Sequence, residues 1–277
     1  MTTGHSSPLR VSISITDYST PDVLPLVAGA ADEAGIDTVW VQDHLLQSAP
    51  GSDPASPMLE AYATLAYLAA RTERVRLGAL VSPVTYRPAA VLVKAVTTLD
   101  VLAGGRAWFG VGAGYLETEA EAFDVPLPPV PERFAALEAT LELARRMWSN
   151  EMPVPVSPPP ATRPHPPILV GGAGERRTLR LVAQYADACN LFDIPDGGAT
   201  VRRKLDALAR HCDAVGRPFD AIEKTLSTRL APDEAPDAFV ARVTALGIDH
   251  AVLLTTSPWT ADELARVANV VRYAASA

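Results

Sequence analysis

The chain has 277 residues, 48% of them apolar and 20% charged, which suits a globular protein with a substantial core and excludes a disordered one. A formal net charge of −8 speaks against a general nucleic-acid surface. Cys189 and Cys212 are the only cysteines and form no CxxC or Cys/His cluster, so neither a disulfide framework nor a structural zinc site is expected.

In chain order, Leu9 to Ile15 reads as the first strand. Thr20 then caps a helix with Pro21 at its first position, and Gly35 stops it. Asp37 to Gln42 is the second strand, running into Asp43-His44. A polar loop over 45–56 leads to an Ala/Leu-rich helix over 57–71, then strand three over 75–81 and helix three over 88–102. Arg106 to Gly112 is strand four, and Phe134, Leu137, Leu141, Ala144 and Trp148 mark one face of a helix over 131–148. Eight prolines between 150 and 167 predict a stiff connector. Beyond it come strand 168–170 with helix 175–187, strand 188–192 with helix 199–215, strand 222–230 with helix 236–246, and strand 249–255. A final helix opens on the capping box Thr260–Glu263.

Eight apolar, non-alternating strands, each followed by a helix, predict an α/β fold of the (β/α)8 TIM-barrel type in one domain. The alternative is a doubly wound sheet with a small second domain split off at the proline connector. The first residues lack the apolar stretch of a signal peptide and no later run would cross a bilayer, so a cytoplasmic protein without membrane partners is expected.

Two glycine turns carry the chemistry. Gly110-Val-Gly112-Ala-Gly114 ends strand four, and Gly171-Gly172-Ala-Gly174-Glu175-Arg176-Arg177-Thr178 joins strand five to its helix. Neither has the GxGxxG spacing of a dinucleotide fold, because Tyr115 and Arg177 stand where the third glycine should be. The second turn brings backbone N–H groups, arginine and a hydroxyl to a helix start, which suits phosphate. In a barrel the ligands sit at the C-terminal ends of the strands. Of the five histidines only His44 lies there, as a candidate acid, base or hydrogen-bond donor. Asp187 belongs to the opposite end, and Trp40 and Trp108 are expected in the core.

Five stretches together resemble the luciferase-like monooxygenase superfamily, in its deazaflavin-dependent branch: residues 35–44, 75–88, 98–106, Gly110 to Tyr115, and 167–181, with Ala186-Asp187 and Cys189-Asn190. The resemblance implies a luciferase-like TIM-barrel oxidoreductase that transfers a hydride between coenzyme F-420 (8-hydroxy-5-deazaflavin) and a small organic substrate, or alternatively an FMN-dependent monooxygenase working with a separate reductase. It implies a cis peptide at Leu80–Val81 behind the ring. It places Asp43 and His44 at the ring, with His44 or Tyr115 handling the proton. Gly112 and Gly114 become one wall of the site, with Gly171, Gly172, Gly174, Glu175, Arg176 and Thr178 at the phosphate-bearing tail. The substrate is a small molecule, and the family tendency is a homodimer. Tyr115 occupies the place of a glutamate acid in the sugar-phosphate dehydrogenases of this branch. The aromatic residue that follows their histidine is missing from Leu45-Leu46-Gln47-Ser48. Both departures argue against a sugar phosphate. The connector is also shorter than the usual insertion there, which implies a reduced lid. A non-catalytic barrel that only binds the cofactor is the remaining alternative.

Overall fold

In the computed structural model, residues 8–16, 22–47 and 53–277 are described. The predicted cap at Thr20 and Pro21, His5, and part of the 45–56 loop lie outside them. Parallel strands β1 (Arg10–Ile15), β2 (Thr38–Val41), β3 (Arg76–Ala79), β4 (Ser82–Pro83), β5 (Phe109–Gly112), β6 (Ile168–Gly171), β7 (Ala188–Phe192), β8 (Glu223–Thr228) and β9 (His250–Leu253) alternate with helices. Their order in the sheet is β3-β2-β1-β9-β8-β7-β6-β5-β4. The two edge strands, β3 and β4, are halves of one strand interrupted at Leu80–Val81, whose peptide bond is cis as expected. The seam closes where the Leu77 N–H donates to the Arg106 carbonyl at 2.9 Å and the Trp108 N–H donates to the Leu77 carbonyl at 2.8 Å. Eight strand positions therefore close a barrel, which displaces the doubly wound alternative.

The helices are α1 (Val23–Ala34), α2 (Ala61–Ala69), α3 (Ala89–Leu102), α4 (Glu117–Ala122), α5 (Val130–Trp148), α6 (Thr178–Tyr185), α7 (Ala199–Val215), α8 (Pro236–Thr244) and α9 (Ala261–Ser276). Gly35 ends α1 in the left-handed region, φ 72°, and the Thr260–Glu263 capping box opens α9, both as the sequence predicts. Two helices start later than expected. The Glu60 side chain accepts the Ala63 N–H at 2.7 Å and moves the start of α2 from 57 to 61. Residues 175–177 form a turn, so α6 begins at Thr178. The six-residue α4 is not anticipated at all. The proline connector has neither helix nor strand; Thr162 pins it through hydrogen bonds to Asp100 and the Gly105 carbonyl.

One core cluster fills the layer between sheet and helices, and a smaller one fills the barrel around Trp40 and Trp108, whose rings lie 5.5 Å apart. The interruption of strand three shapes this interior. It turns the Ala79 carbonyl and the Val81 side chain inward, so a Cβ at Gly110 would lie 1.9 Å from the Ala79 oxygen. A Cβ at Gly171 would lie 2.6 Å from a Val81 methyl. Glycine at both positions admits the bulge, a packing reason that the sequence pattern did not reveal. No helix among the described residues is long and apolar enough to cross a membrane.

Candidate active site

The C-terminal ends of the strands surround a cavity of about 710 Å³. Of the residues expected there, His44, Leu80, Val81, Gly112, Gly114, Tyr115, Gly171, Gly172, Gly174 and Thr178 line it. Three do not. Asp43 is buried behind the wall, where Arg87 grips both carboxylate oxygens at 2.7 and 3.0 Å. Glu175 turns outward to pair with Arg203 at 2.9 Å, and Arg176 is exposed beside it. Among the described residues no cluster of side chains fits a metal ion.

The Asp43 anchor explains how the loop after β2 is held. Arg87 also reaches Glu60 at 2.5 Å, which ties that loop to α2. Burial opposes charge on Arg87, but its bonds to Asp43 and Glu60 prevail and hold its pKa above the ordinary value. Beneath them, burial and the charge of Asp43 push the Tyr62 phenol well above its usual range, and its oxygen sits 3.0 Å from Ser82 Oγ. Asp43 is thus positioned to aim the next residue, His44, into the cavity.

His44 presents one ring nitrogen to protein and the other to the cavity. Nδ1 lies 3.0 Å from Oε2 of Glu119, a fully buried carboxylate on α4. Among the described residues Nε2 has no hydrogen-bond partner. The Tyr115 ring stands edge-on to the imidazole, with centroids 6.0 Å apart, and is itself two-thirds exposed. Sequence reasoning missed Glu119 because α4 is too short for a 3.6-residue period to show, and a run of acids reads as a solvated face.

Four further polar side chains line the cavity. The Gln42 amide oxygen is buried with no partner, and so is Arg133 Nε, although Arg133 Nη1 donates to the Gly114 carbonyl. Asn190 and Ser227 form a bonded pair, 2.8 Å apart, across β7 and β8. Arg133 and Arg229 contribute positive charge to the lining, which contains no carboxylate among the described residues. A backbone bulge under an open ring-sized space, an orphaned carbonyl and uncompensated cations together fit a flat heterocycle with a ring N–H and an anionic tail. That is the donor and acceptor pattern of a flavin or deazaflavin.

A closed parallel barrel with such a mouth defines a cofactor-dependent barrel protein. The chain matches the luciferase-like monooxygenase family over residues 1–274, and it belongs to that family. One relative, from Kineococcus radiotolerans and named F420-dependent glucose-6-phosphate dehydrogenase, is 32% identical over 84% of this chain and 71% of its own length. In further relatives of the same name the covered share of their length falls to 64% and 36%. Among solved structures, an F420-dependent secondary alcohol dehydrogenase holding an F420–acetone adduct superposes with a TM-score of 0.81. It is 17% identical, with 97% of this chain and 99% of that one covered. A monooxygenase from Streptomyces bottropensis gives 0.74 at 20% identity, over 97% and 98% of the two chains. At these identities the superpositions establish the fold.

Proposed function

We propose that this chain is an oxidoreductase that uses coenzyme F-420 to move a hydride to or from a small organic substrate, with His44 handling the accompanying proton. The observation that carries the proposal is the unpartnered Nε2 of His44 at the edge of a cavity whose floor is the Leu80–Val81 bulge. The kinship with relatives named for F420 dependence supports the choice of cofactor.

When bound, the deazaflavin supplies a hydride acceptor or donor at carbon 5. The protein's own groups do the rest. Leu80 and Val81 would hold the ring, and the unpartnered Gln42 amide oxygen would accept a ring N–H. Gly112 and Gly114 leave room along one wall. The Gly171 to Thr178 turn and the cations Arg133 and Arg229 suit the anionic tail. His44 Nε2 takes the hydroxyl proton as an alcohol is oxidised, or returns one to the oxygen of a carbonyl as it is reduced. Tyr115, standing where related sugar-phosphate enzymes carry a glutamate, makes this flank of the cavity aromatic. We therefore favour an alcohol, carbonyl or activated alkene over a sugar phosphate.

Spectral titration of the purified protein with reduced deazaflavin and with FMN tests the proposal. Saturable deazaflavin binding followed by turnover on a panel of alcohols, ketones and enones supports it. Tight FMN binding without deazaflavin binding replaces it with a reductase-fed monooxygenase. Binding without any turnover favours a non-catalytic carrier.

A further inference from the structure

We propose that Glu119 is the positioning residue that dictates which ring nitrogen of His44 carries the proton. This inference rests on the reading of His44 as the proton-handling group. Four hydrogen-bond partners converge on the Glu119 carboxylate. The Leu45 and Leu46 backbone N–H groups donate to Oε1, the second at 3.2 Å. The Tyr86 hydroxyl donates to Oε2, and His44 Nδ1 meets the same oxygen at 3.0 Å. A carboxylate offers about four lone-pair sites, so these four partners saturate it.

The saturation has a definite consequence. Three of the four partners, the Leu45 and Leu46 N–H groups and the Tyr86 hydroxyl, donate to the carboxylate, and hydrogen bonds of this kind favour its ionised form, which has no hydrogen of its own to give. Glu119 is therefore a pure acceptor, and Nδ1 must donate to it. The neutral imidazole is held as the Nδ1–H tautomer, with the Nε2 lone pair directed at the cavity as an acceptor. The other groups around the ring do not compete for Nδ1: Asp43 is committed to Arg87, and Tyr115 packs edge-on. Glu119 also ties together the loops after β2 and β4, so the ring is held in orientation as well as in tautomer.

Glu119→Gln separates this role from simple packing. The amide oxygen still accepts the Leu45 and Leu46 N–H groups, but an NH2 group now faces Nδ1. Nδ1 can then only accept, and the proton moves to Nε2, placing a donor where the reaction needs an acceptor. The decisive measurement is nitrogen-15 NMR of histidine-labelled protein without cofactor, at a pH where the ring is neutral, with the His44 signal assigned by its loss in His44→Ala. The wild type is expected to show protonated Nδ1 and bare Nε2, and Glu119→Gln the reverse. Glu119→Asp keeps a carboxylate and should retain the wild-type tautomer. An Nε2–H tautomer in the wild type overturns the proposal even if neither Glu119 variant folds.

In turnover assays Glu119→Gln should lower kcat by about ten- to ten-thousand-fold, the upper end being the effect of a wrong tautomer in a catalytic triad. Cofactor affinity should stay within a few-fold. In a His44→Ala background the same substitution should change kcat no more than about twofold, since the group it positions is gone. Equal losses in both backgrounds would assign Glu119 a purely structural part. The NMR needs neither cofactor nor turnover, so its outcome stands apart from whether the deazaflavin reading holds.

Discussion

The two ends of the barrel treat polar groups in opposite ways. At the foot, where the strands begin, polar groups are matched. Arg10 pairs with Glu223 at 2.5 Å, and Glu223 meets Nδ1 of the buried His250 at the same distance. The other His250 nitrogen bonds to Ser12, and Asp37 lies 3.9 Å away. Asp249 pairs with Lys224, Asp187 accepts the Ile168 N–H, and Arg76 lies 4.3 Å over the Trp108 ring. Toward the mouth, among the described residues, the Gln42 oxygen, Arg133 Nε and Thr85 Oγ1 are buried without partners, as is Trp40 Nε1 within the barrel, and His44 bonds through Nδ1 alone. Buried polar groups are normally satisfied, and leaving one unpaired costs about 1–3 kcal/mol. A fold that matches its charges at one end and leaves donors and acceptors open at the other marks the open end as the place where a ligand completes them.

The contrast predicts that substitutions at the mouth move activity and those at the foot move stability. The largest effect is expected for His44→Ala. Turnover should fall about 10²- to 10⁴-fold while cofactor affinity stays within a few-fold, read by steady-state kinetics beside a binding titration. A collapse of affinity with turnover intact at saturation would reassign His44 to binding. At the foot, Glu223→Gln should lower unfolding free energy by about 2–3 kcal/mol, because Arg10 and His250 lose a charged partner that is only partly screened by solvent. Urea titration measures the loss, and kcat per folded molecule should not change. A matching drop in kcat would show that the two ends are coupled.

A smaller effect separates the ends more sharply. Gln42→Met removes an orphaned acceptor, so the free protein should be as stable as wild type or slightly more so, whereas cofactor binding should weaken about tenfold. Equal affinity would mean that Gln42 does not meet the ring. The smallest effect concerns Asp32 on α1, whose carboxylate accepts the N–H groups of Glu73, Arg74 and Val75 just before β3, at 2.5, 3.0 and 2.8 Å. Burial would raise its pKa, but these three bonds prevail and lower it below the ordinary carboxyl value of 3.8. A lowered folded-state value means that its stabilisation is full at pH values above 3.8 and is lost as pH falls through the folded value. Asp32→Asn should therefore lower the melting temperature slightly at neutral pH, corresponding to less than about 1 kcal/mol at a site only partly buried. The gap should close in acid. A gap that persists at low pH would assign the effect to geometry rather than charge.

The barrel itself was legible in the sequence. Strands buried on both faces lose their alternation, and Gly35 and the Thr260–Glu263 box mark helix ends by local chemistry that needs no tertiary partner. The position of His44 followed from the rule that barrel ligands sit where strands end, and the residues quoted from the luciferase-like pattern led to the Leu80–Val81 bulge. What the sequence could not supply were relations between residues far apart along the chain. Gly110 looked like a cofactor glycine, but the approach of the Ala79 carbonyl, set by the bulge in the neighbouring strand, explains its lack of a side chain. Asp43 and His44 are adjacent in sequence, but Arg87 draws one into the wall while Glu119, 75 positions away, orients the other toward the cavity. Periodicity and capping act over one turn of chain and can be read from it directly. Which buried acceptor meets which donor depends on how eight strands close into a ring, and only the folded barrel decides that.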